Sequence, residues 1–146
     1  MACEALLVEQ LKAHGMRLTP QREMVLEALH DLGHATVEET HRQVCLKSNA
    51  VDKSTVYRTL ELLKELGLVV PVEIGDGALR YELALHGPHL HLRCESCGRT
   101  TTLGPSDLAP LMRRLKQTFG FVVGEHQVLH GLCAACAEQA TRGKKT

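Results

Sequence analysis

Up to Gly67 the apolar positions recur with the period of an α-helix, and then, for two short runs, the period becomes two. Residues 4–13 place Leu6, Leu7, Gln10 and Leu11 at helical spacing, and His14-Gly15 closes that run. In Arg17-Leu18-Thr19-Pro20-Gln21-Arg22, Thr19 suits an N-cap because its hydroxyl accepts from an orphan N–H. Pro20 suits the first helical position, where a missing N–H costs nothing. Val25, Leu26 and Leu29 give that helix one apolar stripe. A third helix opens at Thr36-Val37-Glu38-Glu39, a capping-box pattern with Glu39 three residues after the cap, and runs towards Val44 and Leu46.

Residues 47–51 form a polar loop, after which Asp52 or Ser54 is available to cap a helix over 55–66 that stops at Gly67. Val56, Leu60, Leu63 and Leu66 make its buried face, while Ser54, Thr55, Tyr57, Arg58 and Glu61 face elsewhere. Residues 68–74 and 78–84 then read as strands around Gly75-Asp76-Gly77, a hairpin signal. A helical run closed by a hairpin predicts a winged helix-turn-helix with residues 54–66 as its recognition helix. Beyond His86-Gly87-Pro88, strands are expected over 89–93, 100–103 and 121–130. Between the last two lies a helix over 108–119, with Leu108, Leu111, Met112, Leu115 and Phe119 on one face and Pro110 tolerated in the first turn. The tail 142–146 reads as solvated. The expected class is α+β, with an N-terminal winged-helix domain over 1–84, a hinge over 85–88 and a C-terminal α/β domain over 89–146.

Composition narrows the function. With 146 residues the chain can bury a core as one domain or as two small ones. No stretch of 18 uninterrupted apolar residues occurs, and Met1-Ala2-Cys3-Glu4 lacks the basic start of a secretory signal. The expectation is a cytoplasmic protein without a membrane partner, in which paired cysteines favour metal over disulfides. Aromatic residues are only 3%, which argues against modules that stack single-stranded bases. Residues 1–83 carry 9 Lys/Arg against 13 Asp/Glu, and residues 84–146 carry 8 against 4. An acidic winged-helix half implies weak non-specific attraction to DNA, with affinity resting on a few placed side chains.

Cys94-x-x-Cys97 and Cys133-x-x-Cys136 carry the clearest chemistry. Two such pairs have the arithmetic of a tetrahedral, all-cysteine structural zinc site. The 35 residues between the pairs mean that the ion pins distant segments. Cys3 and Cys45 remain and read as packing residues. His89 and His91 alternate just before the first pair, so on a strand their imidazoles share one face. An enzyme is the rival class, with Cys-x-x-Cys as a thiol redox centre or His and Cys as a catalytic zinc site. No βαβ unit precedes Cys94, no deaminase His-x-Glu is present, and four thiolates leave zinc no open position. The enzyme reading is set aside, and no small organic substrate is expected.

Taken together, Leu18-Thr19-Pro20-Gln21-Arg22, His34-Ala35-Thr36, Ser54-Thr55-Val56-Tyr57-Arg58, His89-x-His91-x-x-Cys94-x-x-Cys97 and Gly131-x-Cys133-x-x-Cys136 resemble the ferric uptake regulator family of bacterial metal-dependent repressors. The likeness extends along nearly the whole chain. It implies a C-terminal dimerisation domain, a homodimer on palindromic double-stranded DNA operators, and structural Zn(II) on Cys94, Cys97, Cys133 and Cys136. It also implies a regulatory metal site between the domains on His34, Glu82, His89 and His91. Ligands from two domains would let one ion set the angle between them and so the spacing of two recognition helices. On DNA, Arg58 is the leading candidate for a base or phosphate contact, supported by Thr55 and Tyr57. Arg22 and Lys53 are assigned to phosphates, and Arg17 either joins them or is solvated.

The departures bear on which metal is sensed. Thr102 stands where some members, including the peroxide-sensing branch, carry an acidic fifth ligand, which counts against oxidation-driven sensing. Pro88 and Leu90 interrupt the family's additional His/Asp site and leave His126 as its candidate remnant, with His86 and His130 spare. Pro71 and Glu73 stand where the nickel-sensing branch has wing histidines. A carboxylate at Glu82, where the zinc-uptake branch often has cysteine, favours Fe(II) or Mn(II). Zn(II) stays in contention because intrinsic affinities rank it above both. A constitutive, zinc-stabilised DNA-binding protein without sensing is the alternative.

Overall fold

In the computed structural model three of the four N-terminal helices begin where a capping side chain stands. The structure describes residues 2–84, 87–124 and 126–144, with side chains from Ala5 onwards. His86, the Cys3 side chain and the last two residues of the tail lie outside the described residues. Helix α1 (Ala2–Ala13) is followed by α2 (Pro20–Leu32), where the Arg22 N–H donates to Thr19 Oγ1 at 3.3 Å. The short strand β1 (His34–Ala35) leads to α3 (Val37–Cys45), and its capping box is complete. The Glu39 N–H donates to Thr36 Oγ1 at 3.1 Å, and the Thr36 N–H donates to the Glu39 carboxylate at 2.9 Å. Helix α4 (Lys53–Glu65) is capped by Asp52 rather than Ser54, the Thr55 N–H donating to its carboxylate at 2.7 Å. Each such cap stabilises its helix by roughly 1 kcal/mol.

Strands β2 (Val69–Glu73) and β3 (Leu79–Leu83) form the wing. The turn between them needs glycine, since Gly75 and Gly77 have φ of 90° and 77°, where a side chain is strained. The sheet order is β1-β3-β2, antiparallel throughout. The two-residue segment His34-Ala35 is a strand for a tertiary reason: it completes the β3 ladder. Leu7, Leu11, Val25, Leu29, Val44, Val56, Leu60, Leu63, Tyr81 and Leu83 close one core between the helices and this sheet. Leu6 is left exposed and Leu66 only half-buried. The Tyr81 hydroxyl donates to Glu61 Oε1 at 2.7 Å, and burial, then Glu61, pushes its phenol above the usual range.

The second sheet consists of β4 (His89–Cys94), β5 (Thr100–Leu103) and β6 (His126–Gly131), in the order β5-β4-β6. β4 and β5 are antiparallel, whereas β4 and β6 are parallel, joined through the crossover helix α5 (Pro105–Phe119). Helix α6 (Ala134–Gly143) follows. Two expectations are corrected here. α5 starts at Pro105, not 108, because a proline without an N–H suits the first helical position, and Gly120 ends it with a left-handed φ of 63°. Pro110 thus sits inside the helix rather than in its first turn. The last strand starts at His126 and not at 121, because only from there does it pair with β4.

By contacts the chain divides into two compact units, Met1–Glu73 with Ala78–Leu85, and Ile74–Gly77 with His86–Thr146. The first contains α2, α3, α4 and the strands β2 and β3 of the winged helix-turn-helix. No helix among the described residues is long and apolar enough to cross a membrane.

Candidate metal centres and nucleic-acid interface

The four cysteines come together in the second unit. Cys94 ends β4, and Cys97 follows in the turn that closes where the Gly98 N–H donates to the Cys94 carbonyl at 3.0 Å. Cys133 is the N-cap residue of α6 and Cys136 lies in its first turn. All four Sγ atoms lie within 4.8 Å of one another, and Cys97 and Cys133 are 3.9 Å apart. A tetrahedral zinc with bonds of about 2.3 Å needs sulfur separations of about 3.8 Å, so the set fits the ion. The Cys133 N–H donates to Cys94 Sγ at 3.4 Å. That N–H, then the one on Cys97, lowers the Cys94 thiol to about 6, and the Cys136 N–H lowers Cys133. The Ser96 hydroxyl lowers Cys136, but Cys133 and burial outweigh it and push that thiol up to about 11. Cys94 and Cys133 are thus biased towards the thiolate form that zinc binds, and Cys136 towards the thiol.

The other four predicted ligands arrive as two pairs, one per unit. In the first unit His34 and Glu82 are direct partners across β1 and β3, which puts their side chains on one face of the sheet. Glu82 is 2% exposed. In the second unit His89 and His91 are both buried on β4, their rings edge to face with centroids 5.0 Å apart. His89 Nδ1 lies 2.8 Å from the Gly87 carbonyl. A carbonyl only accepts, so this nitrogen carries a proton and Nε2 is the nitrogen left to meet a metal. His91 Nδ1 lies 3.0 Å from Thr102 Oγ1. The sequence reading left His126 outside this group. It is the register partner of His89 across β4 and β6, with ring centroids 4.7 Å apart. The parallel pairing that brings it there leaves no local signal in the sequence. His130 sits elsewhere, against Gly75 of the same unit, where a Cβ would come within 2.3 Å of its Cε1.

Five of the six residues assigned to DNA gather at the N-terminal end of α4. Arg22, Thr55 and Arg58 line one surface depression with Thr19 and Gln21, and Lys53, Tyr57 and Arg58 line another with Val37 and Ser54. Arg58 belongs to both, its Nε donating to the Ser54 carbonyl at 3.3 Å. Lys53 donates to Glu38 at 2.7 Å in an exposed pair that a phosphate can displace. Arg17 joins this group through its carbonyl, which accepts from Arg22 Nη1 at 2.7 Å.

The model of the ferric uptake regulator family matches residues 13–130. The ferric uptake regulation protein of Bacillus subtilis (strain 168) is 34% identical over 144 residues, 94% of this chain and 93% of its own. This chain belongs to the ferric uptake regulator family. The peroxide operon regulator of the same organism is 30% identical over 134 residues, 90% of this chain and 92% of its own. The ferric uptake regulator of Helicobacter pylori has the same fold, with a TM-score of 0.71 at 22% identity over 93% of this chain and 92% of that one.

As a member of the ferric uptake regulator family the chain is a metal-dependent, DNA-binding transcriptional regulator and not an enzyme. Family members of this kind are dimeric regulators that act on DNA. The rival reading of the cysteine pairs as an enzyme's redox centre falls with that. Cys45 was read as a packing residue; it is half-buried, its Sγ 3.3 Å from His41 Nε2, which also lies 3.1 Å from the Val51 carbonyl.

Proposed function

We propose that the protein is a cytoplasmic, homodimeric repressor of metal-homeostasis genes that binds palindromic operators when a divalent cation occupies His34, Glu82, His89 and His91. The observation that carries this reading is the division of donors. One unit holds a buried carboxylate across from a histidine, and the other holds two buried histidines on one strand. Neither pair fills a coordination sphere, whereas one ion drawing on both couples the orientation of the DNA-binding unit to metal supply. Three imidazoles and a carboxylate suit a first-row cation. The carboxylate favours Fe(II) or Mn(II), and Zn(II) competes through its higher intrinsic affinity. Structural Zn(II) on Cys94, Cys97, Cys133 and Cys136 holds the dimerisation unit in shape. A second copy is supported by the apolar side chains that this unit leaves in water, among them Phe119 at 70% and Val122 at 75% exposure. Arg58, with Thr55 and Tyr57, meets the major groove, while Arg22, Lys53 and Arg17 meet phosphates.

Operator binding titrated with Fe(II), Mn(II), Zn(II) and Ni(II), after the labile metal alone has been stripped, tests this reading. Binding should rise with metal, and His89→Ala should abolish the rise while leaving tightly held zinc unchanged. Equal affinity with and without added metal would overturn the assignment of these four residues as the trigger.

A further inference from the structure

Strand β4 gives its two histidines different kinds of partner. His89 Nδ1 faces a carbonyl, so its tautomer is set by the backbone. His91 Nδ1 faces the hydroxyl of Thr102, its register partner on β5, at 3.0 Å. A hydroxyl donates or accepts, so it satisfies either tautomer of His91. Coordination through Nε2 is compatible with only one of them, in which Nδ1–H donates to Oγ1.

We propose that Thr102 is a positioning residue for the regulatory metal site: its hydroxyl engages Nδ1 of His91 and presents Nε2 to the cation. This rests on the reading of His91 as a ligand. A histidine ligand is oriented and made more basic by the group that accepts its other N–H, most strongly by a carboxylate. A neutral hydroxyl supplies the orientation without the added charge. The ring is therefore held for binding, while the grip on the metal stays weak enough for exchange. Because His91 is buried, losing the hydrogen bond is costly for its ring. Thr102 itself is exposed, which places the effect at the lower end of those known for such partners.

The test uses the full-length dimer with structural zinc in place and Mn(II) as the probe, free Mn(II) being counted by electron paramagnetic resonance. Thr102→Val should weaken Mn(II) binding about 10-fold. Thr102→Ser, which keeps the hydroxyl, should bind within about 2-fold of the parent, the difference that separates positioning from packing. Nitrogen-15 NMR of the metal-free dimer adds an independent signature: the His91 tautomer balance should shift in Thr102→Val and not in Thr102→Ser. Unchanged affinity in Thr102→Val, or equal loss in both variants, would overturn the inference. His91→Ala tells the two failures apart. If it binds Mn(II) like the parent, the metal site itself is misplaced; if it loses binding while Thr102→Val does not, only the role of Thr102 falls.

Discussion

The two units keep their apolar residues in different places. In the first, leucines and valines from all four helices and from β2 and β3 close a continuous core. In the second, Leu90, Cys94 and Leu108 are buried, while Leu92, Leu111, Phe119, Phe121, Val122, Leu129 and Leu132 stay in water. Burying a leucine-sized side chain stabilises a fold by roughly 1.5–3 kcal/mol. The first unit collects many such contributions and the second only a few. In the proposed reading a zinc clasp and a partner's surface make up the difference, so that one unit would be held by packing and the other by coordination and association.

Removing the clasp should break that contrast most severely. Cys94→Ser takes away one of four thiolates from a kind of site worth about 10 kcal/mol or more in zinc-finger peptides. Bound zinc and the dimer should both be lost, by metal analysis and sedimentation, while the thermal transition of the first unit persists. A variant that kept its dimer without zinc would show that packing alone holds the second unit.

A core deletion in the other unit should do the reverse. Leu60→Ala removes a fully buried side chain of α4 and should cost about 2–5 kcal/mol in denaturant unfolding. Zinc content and dimerisation should stay as in the parent. Loss of zinc from this variant would mean that the two units do not fold independently.

The smallest effect sharpens the comparison on the functional side. Arg58 is exposed at the N-terminal end of α4, so Arg58→Ala should leave unfolding within about 0.5 kcal/mol of the parent. Metal-loaded operator affinity should nevertheless fall by about 1–3 kcal/mol in gel-shift titrations. An unchanged affinity would move the DNA contact away from this end of the helix.

Local rules explain which features were legible beforehand. Thr19-Pro20 and the box Thr36-x-x-Glu39 start their helices where the side chains predict, because a cap is satisfied within one turn of chain. The recognition helix also emerges from its apolar stripe. The start of α5 was misplaced because two prolines, Pro105 and Pro110, compete for the first turn and only one can occupy it. Its apolar stripe is legible in the sequence but its covering is not, since periodicity shows that a face is apolar and not what lies against it.

The sequence by itself determined the two cysteine pairs, the alternating His89 and His91, the caps and the wing turn, because each depends on residues a few positions apart. Only the tertiary structure decided that His34 lies across from Glu82, that His126 stands beside His89, that Thr102 meets His91, and that Cys94 and Cys97 converge with Cys133 and Cys136. These are matters of strand register and crossover. Shifting a strand by one residue would turn every side chain to the opposite face, and that choice is made by the packing of whole sheets rather than by any short stretch of chain.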